Sequence, residues 1–141
     1  MNGFNDKKIV NALNQAATLT ATTTGNIIDR QGYELVDVLV QVGTSTTADG
    51  SNYFTVSLTA SDDSGMSGEE VVTASNGLVG ANLVINATGD ANAVNHIGYN
   101  GQRRYVRLAC TETGTASVQI AAIASLEQPH RAQVTNASIL S

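Results

Sequence analysis

Four groups of side chains in this sequence are of types that do chemistry. Asp62-Asp63, flanked by Ser61 and Ser64 and followed by Glu69-Glu70, offers hard oxygen ligands of the kind Ca²⁺ takes. Their spacing is not that of an EF-hand loop, which places ligands at alternate positions. Asx residues also start turns by bonding their own backbone, and that reading needs no ion. Arg103, Arg104 and Arg107 hold three of the seven basic residues within five positions, beside Tyr99 and Tyr105. Such a cluster suits phosphate contact or stacking on bases. On a strand, however, Arg103, Tyr105 and Arg107 fall on one face, where arginine pairs with acids such as Asp37 or covers tyrosine. His96 and His130 are the only histidines. Sequence distance alone leaves a metal site or a Ser-His-Asp triad open, but no G-x-S-x-G motif occurs and His130 sits in a segment opened by Pro129. Cys110, the single cysteine, shares a row with Val106 and Leu108, which suits an inert core thiol better than a nucleophile. The Gly-rich stretches contain no G-x-x-x-x-G-K-[ST] pattern. No catalytic set, cofactor site or metal site is therefore expected.

Composition narrows the classes further. Only 13% of the 141 residues are charged, against about a quarter in ordinary domains. The net charge of −5 and pI near 4.7 argue against a nucleic-acid binder, which shows a basic face. One cysteine rules out an intrachain disulfide and a Cys-based zinc site. The N-terminal sequence lacks the apolar centre of a signal peptide, and no apolar run reaches the length of a membrane span. Strand-formers mixed with turn-formers point to β structure in one domain, with a core built from Val, Ile, Leu and Ala.

The elements that must position these side chains are strands. In Tyr33 to Val42 the valines 36, 38, 40 and 42 fall on one face and Leu35, Asp37, Leu39 and Gln41 on the other. In Tyr53 to Ala60, Phe54, Val56, Leu58 and Ala60 point inward. Short strands are expected in Thr18–Thr23, around Val71-Val72 and at Leu83–Ile85. Val94–Tyr99, Arg103–Thr111 and Thr115–Glu127 alternate on either side of Asn100-Gly101 and Glu112-Thr113-Gly114. Asn-Gly between alternating runs is a strong hairpin signal, so these three read as an antiparallel meander. The inward set is Val38, Val40, Val56, Leu58, Val106, Leu108 and Ile120. The expected fold is all-β: one antiparallel β-sandwich or jelly-roll-like domain over 18–128, with an N-terminal arm over 1–17 and a C-terminal tail over 129–141. Within the arm, Asp6 could cap a short helix carrying Ile9, Val10 and Leu13. Pro129 should end the last strand before it. Phe4, Ile9, Val10 and Leu13 at one end, and Val134, Ile139 and Leu140 at the other, are apolar residues suited to anchoring on a neighbouring subunit; Arg103 and Arg107 are the further candidates for partner contact.

Several short motifs follow one another in a fixed order: Gln31-Gly32-Tyr33 before the Val-rich strand, Asp49-Gly50-Ser51-Asn52-Tyr53-Phe54, Ser61-Asp62-Asp63, His96-Ile97-Gly98-Tyr99 with Arg104-Tyr105-Val106-Arg107, and Pro129-His130-Arg131-Ala132. In that order, over residues 30–132, the chain resembles small virion proteins of tailed bacteriophages, in particular head decoration (cement) proteins. The resemblance implies a non-enzymatic protein made in the host cytoplasm and placed on the virion head surface. Its partner would be the major capsid protein, with a homo-oligomer, a trimer among the options, and neither nucleic acid nor membrane as partner. The alternatives are a tail, connector or fibre-associated protein, and a carbohydrate-binding β-sandwich module. The last is weakened by the absence of Trp, which leaves Tyr33, Tyr53, Tyr99 and Tyr105 as the tyrosines for a sugar platform.

Overall fold

A computed structural model describes residues 7–13, 17–45 and 47–129. They form two antiparallel sheets packed face to face, the all-β sandwich that the alternation implies. The first sheet contains β1 (Lys8–Asn11), β2 (Ala17–Leu19), β5 (Tyr33–Ser45), β8 (Leu78–Val79), β10 (Ala93–Tyr99) and β12 (Val118–Pro129). Its order is β1-β12-β5-β10-β8, with β2 also pairing β12. The second sheet contains β3 (Thr23–Thr24), β4 (Ile28–Asp29), β6 (Tyr53–Ser61), β7 (Glu70–Val71), β9 (Leu83–Ile85) and β11 (Tyr105–Thr113). Its order is β3-β11-β6-β7, with β4 on β11 and β9 on β6.

The inner rows are those the period-two pattern selects. Val36, Val38, Val40 and Val42 of β5 face Phe54, Val56, Leu58 and Ala60 of β6 and Val106, Leu108 and Cys110 of β11 across the interior, and all are buried. Val118, Ile120, Ala124 and Leu126 of β12 complete the first sheet's inner face. A register slip of one residue in any long strand would turn its whole set outward, so these rows fix the pairing.

The meander is not formed. β10 pairs β5 and β8, β11 pairs β6, β3 and β4, and β12 pairs β5, β1 and β2. The three segments alternate between sheets, as do β5 and β6 before them. Asn100-Gly101 is therefore a corner between sheets. Neither residue has the positive φ that a type I′ turn requires. The Asn100 N–H instead donates to Gly77 O, and the Gly101 Cα lies against the Asn76 carbonyl and the Tyr99 ring, where a Cβ would collide. The local signal was right about a turn and silent about which neighbours its flanking strands would take.

The ends also differ from expectation. Lys8–Asn11 is a strand, not a helix or a free arm, and it pairs residues 123–126 of β12. Helical spacing of Ile9, Val10 and Leu13 loses to the ladder bonds that the exposed edge of β12 offers. Ala12 and Leu13 then turn inward, both N–H groups donating to Ala122 O, and Leu13 is 7% exposed. Leu13 is thus a core residue of its own chain, not a free anchor. Val10 packs on the same core, while Ile9 points outward. At the other end β12 runs through Pro129, which pairs Tyr33, instead of stopping before it. The missing proline N–H is tolerated there because the strand ends, and the Tyr33 N–H is already used by Arg30 O in the preceding turn. Phe4, Val134, Ile139, Leu140 and His130 lie outside the described residues.

Candidate interaction surface

The candidate residues fall on two parts of the molecule. At one end of the sandwich, where β4, β6 and β7 approach the turn before β11, each arginine of the cluster meets a carboxylate of the same chain. Arg103 reaches Asp62 at 2.7 Å and Glu70 at 3.2 Å. Arg104 makes a two-pronged contact with Asp29, both N–O distances 2.9 Å, and lies over the Tyr105 ring. Arg107 meets Glu69 at 2.9 Å. The expected pairing with Asp37 is not made, because Asp37 stands on the other sheet and meets His96 Nδ1 at 3.0 Å. The hydrogen bonds from Arg104 and Arg103 hold the Asp29 and Asp62 carboxyls below the ordinary carboxylate value, and these acids push both guanidinium pKa values up. Arg103 and Arg107, considered above as partner contacts, are thus each neutralised in cis.

Asp62 and Asp63 do separate jobs. Asp62 takes Arg103 and the Arg104 N–H, while Asp63 accepts from the Gly65 and Ser67 N–H groups and so builds the turn after β6. Among the described residues no three acidic, histidine or cysteine side chains converge on a point. Cys110 is enclosed between the sheets, and burial pushes its thiol up to about 11.

The centre of this end is a residue to which no motif pointed. Arg30, 9% exposed, follows β4 and lies over the Tyr99 ring with its guanidinium 5.1 Å from the centroid. It donates to Arg103 O at 2.5 Å, Tyr33 O at 3.0 Å and Glu34 O at 3.4 Å, and to Gly101 O. Tyr99 is itself fully buried and accepts the Arg103 N–H at its hydroxyl, so it is no platform for a sugar ring. The sequence signal for Arg30 is slight: a cation beside Asp29 in what reads as a polar break.

The second part is the outer face of the first sheet. Register places three rows across it: Asn11–Ile123–Leu39–His96, Ala121–Gln41–Val94, and Ile9–Ser125–Asp37–Gly98. Val94 is 67% exposed, Ile9 58% and Ile123 45%, and among the described residues no other layer covers them. Between them lies an open hollow of about 220 Å³, lined by Leu39, Gln41, Val94, Ala121, Ala122 and Ile123. Its cause is local. β1 pairs β12 only as far as Ile123 and β2 resumes at Ile120, so small Ala121 sits opposite neither strand. The outer face of the second sheet is more polar along its long strands, carrying Thr55, Ser57, Thr59 and the Arg107–Glu69 pair, with exposed Val71 and Val84 on the short strands beside them.

No family model matches the chain, and a search of curated proteins finds no significant relative. Among solved structures it is similar to the crystal structure of the SPBc2 prophage-derived protein YomS, with a TM-score of 0.50 and 14% identity over 85% of this chain and 93% of that one. At that identity what the two share is the fold, across nearly the whole of both chains.

Proposed function

We propose that this chain is a non-enzymatic structural protein of a bacteriophage virion, and within the virion a decoration (cement) protein that binds and stabilises the major capsid protein lattice on the head surface. The observation that carries the reading is the near full-length sandwich shared with a prophage-derived protein. The chemistry of the side chains supports it. The three clustered arginines are spent on carboxylates of the same chain, the cysteine is enclosed, and Ile9, Val94 and Ile123 are exposed together on one sheet face. Such a molecule presents surface for packing. Repeating one modest contact over a symmetric lattice multiplies it by avidity. The test is deletion of the gene from its phage, followed by heating of the purified particles. A cement protein leaves heads that assemble but release DNA at lower temperature, and adding the purified chain back restores them. Heads equally heat-stable without the chain would reject the cement role.

A further inference from the structure

We infer that the outer face of the first sheet is the contact surface for a second copy of this chain, packed face to face about a two-fold axis. The inference does not depend on a phage setting.

Three observations point to a copy of the same chain as the occupant. The first is charge. Two chains of net charge −5 repel on average, so self-association needs a neutral surface. On this face Asp37 is hydrogen-bonded to His96 Nδ1 at 3.0 Å and Glu127 at its margin lies 3.8 Å from Lys7, while the rows between are apolar or amide. Among the described residues this face therefore carries little charge, so an acidic or basic partner finds little to complement and a copy finds little to repel it. The second is shape. An isologous contact must be self-complementary, and a projecting Ile123 stands beside the hollow over Ala121, so a two-fold axis can seat each ridge in the other's hollow. The third is area. Four strands about 4.8 Å apart, β1, β12, β5 and β10 with 4, 12, 13 and 7 residues at about 3.3 Å each, make a face of roughly 500–600 Å². A pair would bury roughly 1,000 Å², the lower bound for a specific interface. The sheet edges are poor alternatives. β1, β2, β3, β4, β7, β8 and β9 are two to four residues long, and short edge strands resist pairing with another chain.

Sedimentation velocity and multi-angle scattering on the full chain test this. The expected result is a species of twice the 14.6 kDa chain mass. Ile123→Lys and Val94→Lys should each yield a folded monomer, while Val71→Lys, of intermediate exposure between the two but on the second sheet, should remain dimeric. If Ile123→Lys fails to fold, Val94→Lys decides, since that side chain is mostly in solvent already. A wild-type monomer at all concentrations overturns the inference; if removal of residues 130–141 then produces the dimer, the occupant is the chain's own tail. Folded lysine variants that self-associate like wild type overturn it as well.

Discussion

Replacing Arg30 with Met should be among the most damaging single changes to the sandwich. Met keeps most of the side chain's length and its apolar stem but removes every donor. The guanidinium donates to four main-chain carbonyls, drawn from the first two residues of β5 and from the corner between β10 and β11. One contact is long at 3.4 Å and contributes little. The other three are charge-assisted, and losing the donor leaves their acceptors partly buried and unpaired. At about 1–1.5 kcal/mol each, after allowing for water reaching this end of the sandwich, the loss is about 3–4.5 kcal/mol. For a chain of this size that is a fall in Tm of roughly 10–15 °C. Arg30→Lys retains the charge and loses the planar fork, so it should recover only part of the loss. The assay is thermal melting followed by circular dichroism, with urea unfolding to confirm that the m-value is unchanged. Arg104→Met, which removes the solvent-facing pair with Asp29, is the control and should shift Tm far less. If Arg30→Met melts within a few degrees of wild type, or no lower than Arg104→Met, Arg30 does not hold this end together.

Three further outcomes follow from the packing. Leu108→Ala, in the centre of β11, should cost about 2–5 kcal/mol and Val40→Ala less, read from urea midpoints; a Leu108 variant that unfolds like wild type would contradict the inner row. Cys110 should resist thiol reagents at neutral pH until the chain unfolds. Because folding raises its pKa from 9.0 to about 11, the unfolded chain releases this proton first. The associated stability is therefore whole below pH 9 and lost as pH rises to 11, by roughly 2–3 kcal/mol that a Cys110→Ala variant should not lose. Gly114→Ala should destabilise measurably in the same unfolding assay, since φ is +72° and a Cβ would meet Ser51 O at 2.5 Å; unchanged stability would mean the turn after β11 can shift at no cost.

The long strands and their buried rows were legible because period-two alternation is a local property: Val36 to Val42 and Val106 to Cys110 announce their inner faces without reference to any partner. Pairing was not legible. Whether β11 joins β10 or β6 depends on contacts between residues some fifty apart in sequence, and the hairpin signal at Asn100-Gly101 carries no information about them. The two-residue strands were missed or blurred for a related reason. β8 has too few residues to show a period, and its place is set by Gly98 and Tyr99 of β10. The arginine cluster was visible as charge, but its partners Asp62, Glu69 and Glu70 lie between β6 and the start of the two-residue β7, whose positions only the finished fold defines. Arg30 escaped because its ligands are backbone carbonyls, which every sequence has. The apolar outer face was half visible: Leu39 stands out in the sequence, but Val94 and Ile123 become its neighbours only through the register of β10 and β12 on β5.

The most direct measurement on the central proposal is the copy number of this chain in purified particles, obtained by quantitative mass spectrometry against the major capsid protein. A head decoration protein should be present in a fixed ratio to the capsid subunit, of the order of one chain for each one to three subunits. A few copies or a few dozen per particle would move the chain to the tail or connector, and its absence from intact particles would contradict a structural role in the virion.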